Sequence, residues 1–419
     1  MKILATSDWH LGNLFHGNDR LPEHKHFLLW LLRQIEVLQP DALLVAGDIF
    51  DNGNPSAAAQ SVYYEFLDNA TQACSHMQII ITAGNHDSAN RLEAPRALLA
   101  RHKVEVRGNV HREWVQNGEE GDWQMNYDDL MIPLTGQDGQ KVVVLAVPYL
   151  RSDVVQNASY SEGVNNFLRT LTAKAREKYP DTRLVMMAHM YAKGADIAKK
   201  DASERIVIGG QEEVNMEGWT DHPDYLTCGH IHKRQHIWET DWARYTGSVL
   251  PMSFAEIDYR HGIDLVRIDD KISAEFIEYT PQHPLRILSY CDGNLTINRI
   301  KKLVDQELPD RTDGKLDDNF IYVTINITLE KVNNDQIKEL ENLVATKNAV
   351  LCKIQKIIPT LDITTITGEK KIESVEDILN RDPLDTLKES FLIEHKVEMS
   401  EHQEQVLREL LESIKTENE

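Results

Sequence analysis

Short apolar runs alternate with longer amphipathic stretches along residues 1–255. Six runs read as buried strands: 2–6, 41–46, 78–82, 141–147, 183–188 and 225–228. Between them, 21–38, 57–69 and 89–101 place apolar residues at helical spacing. Such alternation predicts an α/β domain. Past residue 281 the pattern changes. Helices are predicted at 294–303 and 334–346 and a strand at 320–329, a small α+β unit spanning 282–359. Residues 360–371 are polar and rich in threonine and read as a linker. The tail, 372–419, carries three short helix patterns. Ser374 caps the first, Asp382-Pro383 opens the second, and Ser400 with Gln403 forms a capping box for the third. That third helix puts Val406, Leu407, Leu410, Leu411 and Ile414 on one face. The predicted organisation is a main domain at 1–281, a second unit at 282–359, a linker and a helical tail.

The bulk figures narrow this only a little. With 419 residues the chain has room for two or three domains. No apolar run reaches the ~18 residues of a membrane-spanning helix, and the opening apolar stretch is too short for a signal peptide. The expected location is the cytoplasm, with no membrane contact. Cys74, Cys228, Cys291 and Cys352 are scattered without a C-x-x-C pair, which argues against a disulfide scaffold or a zinc ribbon. The formal net charge of −22 is the opposite of the basic footprint of most nucleic-acid binders.

The candidate chemistry sits at the ends of the strand-like runs. Five of the six are followed within a few residues by Asp, Asn or His. In order these are Asp8-Trp9-His10, Gly47-Asp48-Ile49-Phe50-Asp51, Gly84-Asn85-His86-Asp87, Ala188-His189 and Gly229-His230-Ile231-His232. Polar groups at the carboxyl ends of neighbouring strands converge in α/β proteins. In D-x-H and H-x-H, residues two apart in an extended segment point the same way and can reach one cluster. Glycines at 47, 84 and 229 allow close backbone approach. Carboxylate plus imidazole suits Mn²⁺, Fe²⁺ or Zn²⁺, and a carboxylate after glycine is placed to bridge two cations.

The order and identity of these motifs resemble the calcineurin-like metallophosphoesterase superfamily. The segments KILATSDWHLG, VAGDIFDNGNPS, AGNHDS, VPYLR and GHIHKRQ…YTGSVLPMSF are similar, more narrowly, to the bacterial SbcD family of nuclease subunits. That likeness is dense over 1–255 and looser beyond. It implies a four-layer α/β sandwich of two mixed sheets flanked by helices, with a small α+β capping domain and a helical tail. It also implies two divalent metal ions, Mn²⁺ the expected one. One would be held by Asp8, His10, Asp48 and His232, the other by Asp48, Asn85, His189 and His230. His86 would face the scissile phosphate, with Asp87 fixing its ring.

Further implications are exonuclease action on double-stranded DNA ends and endonuclease action on single strands and hairpins. The partner would be SbcC, a coiled-coil ATPase, docked on the C-terminal helices, with the chain a homodimer inside a heterotetramer. Candidate substrate contacts are Arg91, Arg151, Lys233, Arg234 and His16. Where archaeal and eukaryotic relatives carry a second histidine, this chain has Asp51, which either orders its loop or takes part in catalysis. The apolar positions Val62, Tyr63, Phe66, Leu67, Leu92, Leu98 and Leu99 have two readings, a helical bundle between two copies or helix packed on sheet within one. A small-molecule or cyclic-nucleotide phosphodiesterase, or a phosphatase, of the same superfamily is the competing assignment.

Overall fold

The computed structural model describes residues 1–117, 120–155, 159–196, 213–238, 240–288, 297–327 and 334–356. In chain order the principal elements are β1 (Lys2–Thr6), α1 (Leu21–Leu38), β2 (Ala42–Ala46), α2 (Ala57–Ala73), β3 (Gln78–Thr82), β4 (Val104–Arg107), β5 (Arg112–Asn117), β6 (Glu120–Met125), β7 (Met131–Thr135), β8 (Lys141–Ala146), α3 (Tyr160–Lys178), β9 (Arg183–His189), β10 (Tyr225–Gly229), β11 (Gln235–His236), β12 (Ala243–Tyr245), β13 (His261–Ile268), β14 (Ile272–Tyr279), β15 (Leu285–Leu288), α4 (Ile297–Glu307), β16 (Ile321–Ile327), α5 (Asn334–Val344) and β17 (Ala349–Lys356). Residues Met1–Ile357 form one compact unit. The predicted linker and tail helices lie outside the described residues.

Two mixed sheets stack face to face. The first runs β14-β13-β1-β2-β3-β4 and the second β11-β12-β10-β9-β8-β7. In the first, β1 to β4 are parallel neighbours and β13 and β14 are antiparallel. In the second, β8, β9, β10 and β12 are parallel and the edges antiparallel. Alternation along each strand divides the apolar residues between layers. In the first sheet, Leu4, Leu43, Val45, Ile79 and Ile81 face α1 and α2. Their neighbours Ile3, Ala5, Leu44, Ala46 and Ile80 meet Val142, Val144, Val185 and Met187 of the second sheet. On the far side Leu145, Leu184 and Met186 pack under Phe167, Leu168 and Leu171 of α3. The result is the expected sandwich of helix, sheet, sheet and helix.

Side-chain caps start two of the helices, α2 where the sequence places it and α3 in a segment for which the sequence reading named no helix. The Ser56 hydroxyl accepts from the Ala59 N–H at 3.1 Å at the head of α2, and Ser159 does the same for Glu162 at 3.2 Å in α3. The helix expected over 89–101 is broken. It becomes a short turn of helix at Ala89–Glu93, another at Arg96–Leu99 and a 3-10 turn at Ala100–His102. Pro95 lies at the break, where it offers no N–H to the ladder. Val62, Tyr63, Phe66, Leu67, Leu92 and Leu99 are buried in the chain's own core, whereas Leu98 is exposed. A third, parallel sheet β15-β16-β17 with α4 and α5 has a separate core built on Val304, Val323, Ile325 and Leu340. Its Tyr322 hydroxyl donates to the Glu23 carboxylate of α1 at 3.1 Å, and the Tyr322 ring lies 5.0 Å from Phe15. No described helix is long and apolar enough to cross a membrane.

Candidate metal centre

Five strand ends converge as the sequence predicts. β1 is followed by Asp8 and His10, β2 by Asp48, and β3 by Asn85 and His86; His189 ends β9, and His230 and His232 follow β10. Asp8, His10, Asp48, His189 and His232 are buried, while Asn85, His86 and His230 are partly open to solvent. Four of these residues hold left-handed backbone: Asp8 at φ 52°, His10 at 48°, Asp48 at 49° and His230 at 94°. Such conformations strain residues with a Cβ and gather at functional sites. Glycine is obligatory behind them. A Cβ on Gly47 would strike the His189 ring, one on Gly84 the Asp48 carboxylate, and one on Gly229 the Ala46 carbonyl.

One cluster has donor atoms spaced as ligands of a single ion. Asn85 Oδ1 lies 3.0 Å from His189 Nε2 and 2.9 Å from His230 Nδ1, and Asp48 Oδ2 lies 3.2 Å from His189 Nε2. Donors bound at ~2.1 Å and at right angles around one cation stand ~3.0 Å apart. A second cluster brings ligand atoms of Asp8, His10 and His232 within 4.8 Å of one another. Asp48 lies between the two clusters: its Oδ2 is 3.8 Å from His10 Nε2, and that nitrogen makes no hydrogen bond among the described residues. His10, Asp48 and His86 form a further close triad.

Electrostatics agree with a site made for positive charge. Burial works against ionisation of Asp48, but the charge and hydrogen bond of His189, then His10, hold it well below the usual carboxylate range. Burial likewise opposes a charged His189, yet Asp48 raises it to about 9. His230 is driven down to about 3, by loss of solvent and then by His189, so its ring is a neutral donor. The proton on His189 occupies a position that a cation can take over.

Neighbours aim the ligands. His189 Nδ1 donates to the Ala46 carbonyl at 2.9 Å, leaving Nε2 for the cluster. Ser7 Oγ donates to Asp8 and shares a 2.6 Å hydrogen bond with Thr246. Asp51 accepts from Asn13 at 2.8 Å and lies 3.5 Å from His10 Nδ1, so it orders its own loop and His10 together. Trp9 is fully buried, its Nε1 donating to Thr6 at 3.1 Å and its ring 5.4 Å from Phe66. The expectation for Asp87 is corrected. The His86 ring donates through Nδ1 to the Asp51 carbonyl at 2.8 Å. Asp87 instead accepts the N–H groups of Gly84, Ile49 and Phe50 at 2.9 to 3.1 Å, tying two ligand loops together. Burial, then the charge of Asp48, raises its carboxyl to about 6.

The basic candidates fare unevenly. Arg234 is committed elsewhere, as its Nε and Nη2 both donate to buried Asp264 at 2.9 and 2.7 Å and its guanidinium lies 4.5 Å from the Phe276 ring centre. Lys233 pairs with Asp196. Arg91, in the helical turn Ala89–Glu93, and Arg151, in the loop after β8, are exposed. His16 is exposed, its ring 5.5 Å from Phe254. Sequence reasoning missed Ser7, Thr246, Glu256 and Tyr149. Tyr149 lies in the VPYLR segment with its ring 6.1 Å from His189, and Glu256 bonds His232 from outside every motif.

The family described as calcineurin-like phosphoesterase matches residues 1–234. The SbcD component of the Rhodobacter capsulatus nuclease SbcCD is 32% identical over 337 residues, covering 78% of this chain and 80% of that protein. The chain belongs to the SbcD branch of the calcineurin-like phosphoesterases. The Escherichia coli K12 protein of the same name is 27% identical over 406 residues, covering 93% of this chain and 90% of that one. The Bacillus subtilis protein is 29% identical over 272 residues, or 64% and 66% of the two chains. As an SbcD-type phosphoesterase the chain is a metal-dependent hydrolase. Its donor set fits that chemistry, being all oxygen and imidazole, with one carboxylate shared between two clusters.

Proposed function

We propose that this chain is the nuclease component of an ATP-dependent DNA-end-processing enzyme, cutting phosphodiester bonds with two divalent cations, Mn²⁺ the expected pair. Asp8, His10, Asp48 and His232 would hold one, and Asp48, Asn85, His189 and His230 the other. The observation that carries the reading is Asp48, one buried carboxylate set between two donor clusters. Bound cations supply Lewis-acid charge for the phosphodiester and a lowered pKa for the attacking water. The chain's own residues do the remainder. Asp48, pinned by the His86 N–H at 2.8 Å, keeps the two clusters in register. His86, anchored through Nδ1, presents Nε2 to the phosphate and delivers a proton to the leaving oxygen. Asp87 acts by fastening the loops of Asp48 and Asn85, and the half-open side of Asn85, His86 and His230 is where substrate enters.

DNA would be gripped near Arg91 and Arg151, whose side chains are exposed, and by an SbcC-like ATPase docked on the helices expected in the tail at 372–419. Two cations would add about +4 of local charge at the cleft, where substrate binds, within a chain of formal net charge −22. The enzyme would work in the cytoplasm, on double-stranded ends and hairpins. The test is a Mn²⁺-dependent assay on a duplex with one hairpin end, run beside a simple aryl phosphodiester. Cutting of the duplex is the expected result. Hydrolysis of the small ester alone would move the assignment to a small-molecule phosphodiesterase. For the partner, an ATPase co-purifying with the full chain should be lost on deleting residues 372–419; unchanged binding refutes the docking site.

A further inference from the structure

Three of the site's imidazoles have Nδ1 tied to groups outside the proposed ligand set, and the ties differ in kind. His189 and His86 donate to backbone carbonyls, of Ala46 and Asp51. His232 instead bonds a side-chain carboxylate, Glu256 Oε1, at 2.9 Å. Glu256 is fully buried, and its other oxygen accepts the Met252 N–H at 2.8 Å. It sits in the 3-10 turn Phe254–Glu256, which Ser253 opens by accepting the Ala255 N–H at 3.1 Å. Phe254 of that turn packs against Phe15, and β15 of the third sheet lies against the same turn.

We propose that Glu256 is a positioning residue for the metal centre. It holds His232 as the Nδ1–H tautomer, aims Nε2 at Asp8 and His10, and so sets the affinity of the cation on that side. A buried carboxylate behind a metal-binding imidazole fixes the ring and raises its donor strength more than a neutral carbonyl does, and loss of such a partner typically costs about 10- to 100-fold in metal affinity. Both carboxylate oxygens are needed. Oε1 accepts from His232 Nδ1–H and Oε2 from the Met252 N–H, and a glutamine would offer one acceptor where these two donors stand.

This inference rests on the proposed place of His232 among the ligands, so the experiment separates the two. Mn²⁺ binding to the full chain is followed by electron paramagnetic resonance titration for wild type, E256Q and H232A, with the melting temperature of each metal-free protein beside it. E256Q is expected to weaken one of the two binding events by about 10- to 100-fold and the other much less. H232A is expected to abolish the same event. Unchanged binding in E256Q while H232A loses an ion overturns the role of Glu256 alone. Unchanged binding in H232A overturns the ligand assignment itself. Equal losses at both sites, in step with a lower melting temperature, reduce Glu256 to a packing residue and also overturn the proposal. A variant-free check is the ¹⁵N spectrum of metal-free wild type. His232 protonated on Nδ1 is the expected signature, and protonation on Nε2 excludes the proposal even if E256Q does not fold.

Discussion

At the scale of single residues, the centre is built from side chains that local motifs announce and from supports that they do not. Asp8, His10, Asp48, Asn85, His189, His230 and His232 each lie in a short pattern at a strand end, so the sequence exposes them. Thr246 and Glu256 act on Ser7 and His232 across 239 and 24 residues, and no local spacing records such pairings. The left-handed backbone at Asp8, His10, Asp48 and His230 is equally invisible in a string of letters. Two predictions belong here. H86A should keep both cations and lose about 10²- to 10⁴-fold in turnover if the ring acts on the leaving group as proposed; isothermal titration with Mn²⁺ that finds an ion missing would make His86 a ligand. Second, His189 holds its proton up to about 9, so below that pH a cation must displace it. Mn²⁺ affinity should therefore rise by about tenfold per pH unit from 7 towards 9, with proton release visible in buffers of different ionisation enthalpy. A flat profile would mean that His189 meets the metal already neutral.

Among the elements, the strands next to chemistry were the easiest to read, since buried parallel strands are nearly continuous apolar runs. The edges were not. β14 is only half buried but alternates exposed and less exposed positions from Ile272 to Phe276, and the sequence reading, which followed continuous apolar runs, assigned no strand there. The helix expected over 89–101 failed for a nameable reason, Pro95, which the apolar spacing outweighed in the reading. Helix α1 carries the pH prediction of this scale. His24 is fully buried in it and is lowered to about 3, by burial and then by the charges of Arg20 and His10. An unfolded imidazole titrates near ~6.5. The folded pKa is the lower one, so the neutral ring's contribution to stability is present above ~6.5 and drains away as the pH falls towards about 3. Urea midpoints measured across that window should fall with pH in wild type and fall less steeply in H24L; equal slopes would show that His24 does not carry the acid sensitivity.

On the scale of the whole molecule, a homodimer, if it forms, has a candidate contact in a groove between α1 and α2. Leu28, Leu29, Leu32, Val62 and Phe66 line a groove there, with Lys25 and Glu65 at its margin. Leu29 is 57% exposed. A closed dimer needs a self-complementary surface, and Lys25 and Glu65 would supply opposite charges at its rim. Sedimentation of the full chain should give a dimer that L29E converts to monomer, with Mn²⁺ binding unaffected; a monomeric wild type would sink this contact.

The five strand ends have one more consequence. Asp8, Asp48 and Asn85 extend from one half of the sandwich, and His189, His230 and His232 from the other. An ion held among them is thus a clasp across the seam, and the two halves cannot part at that end without letting it go. Parting the halves would therefore cost an ion its ligands from one side, and protein loaded with metal should resist opening of that seam more than metal-free protein does.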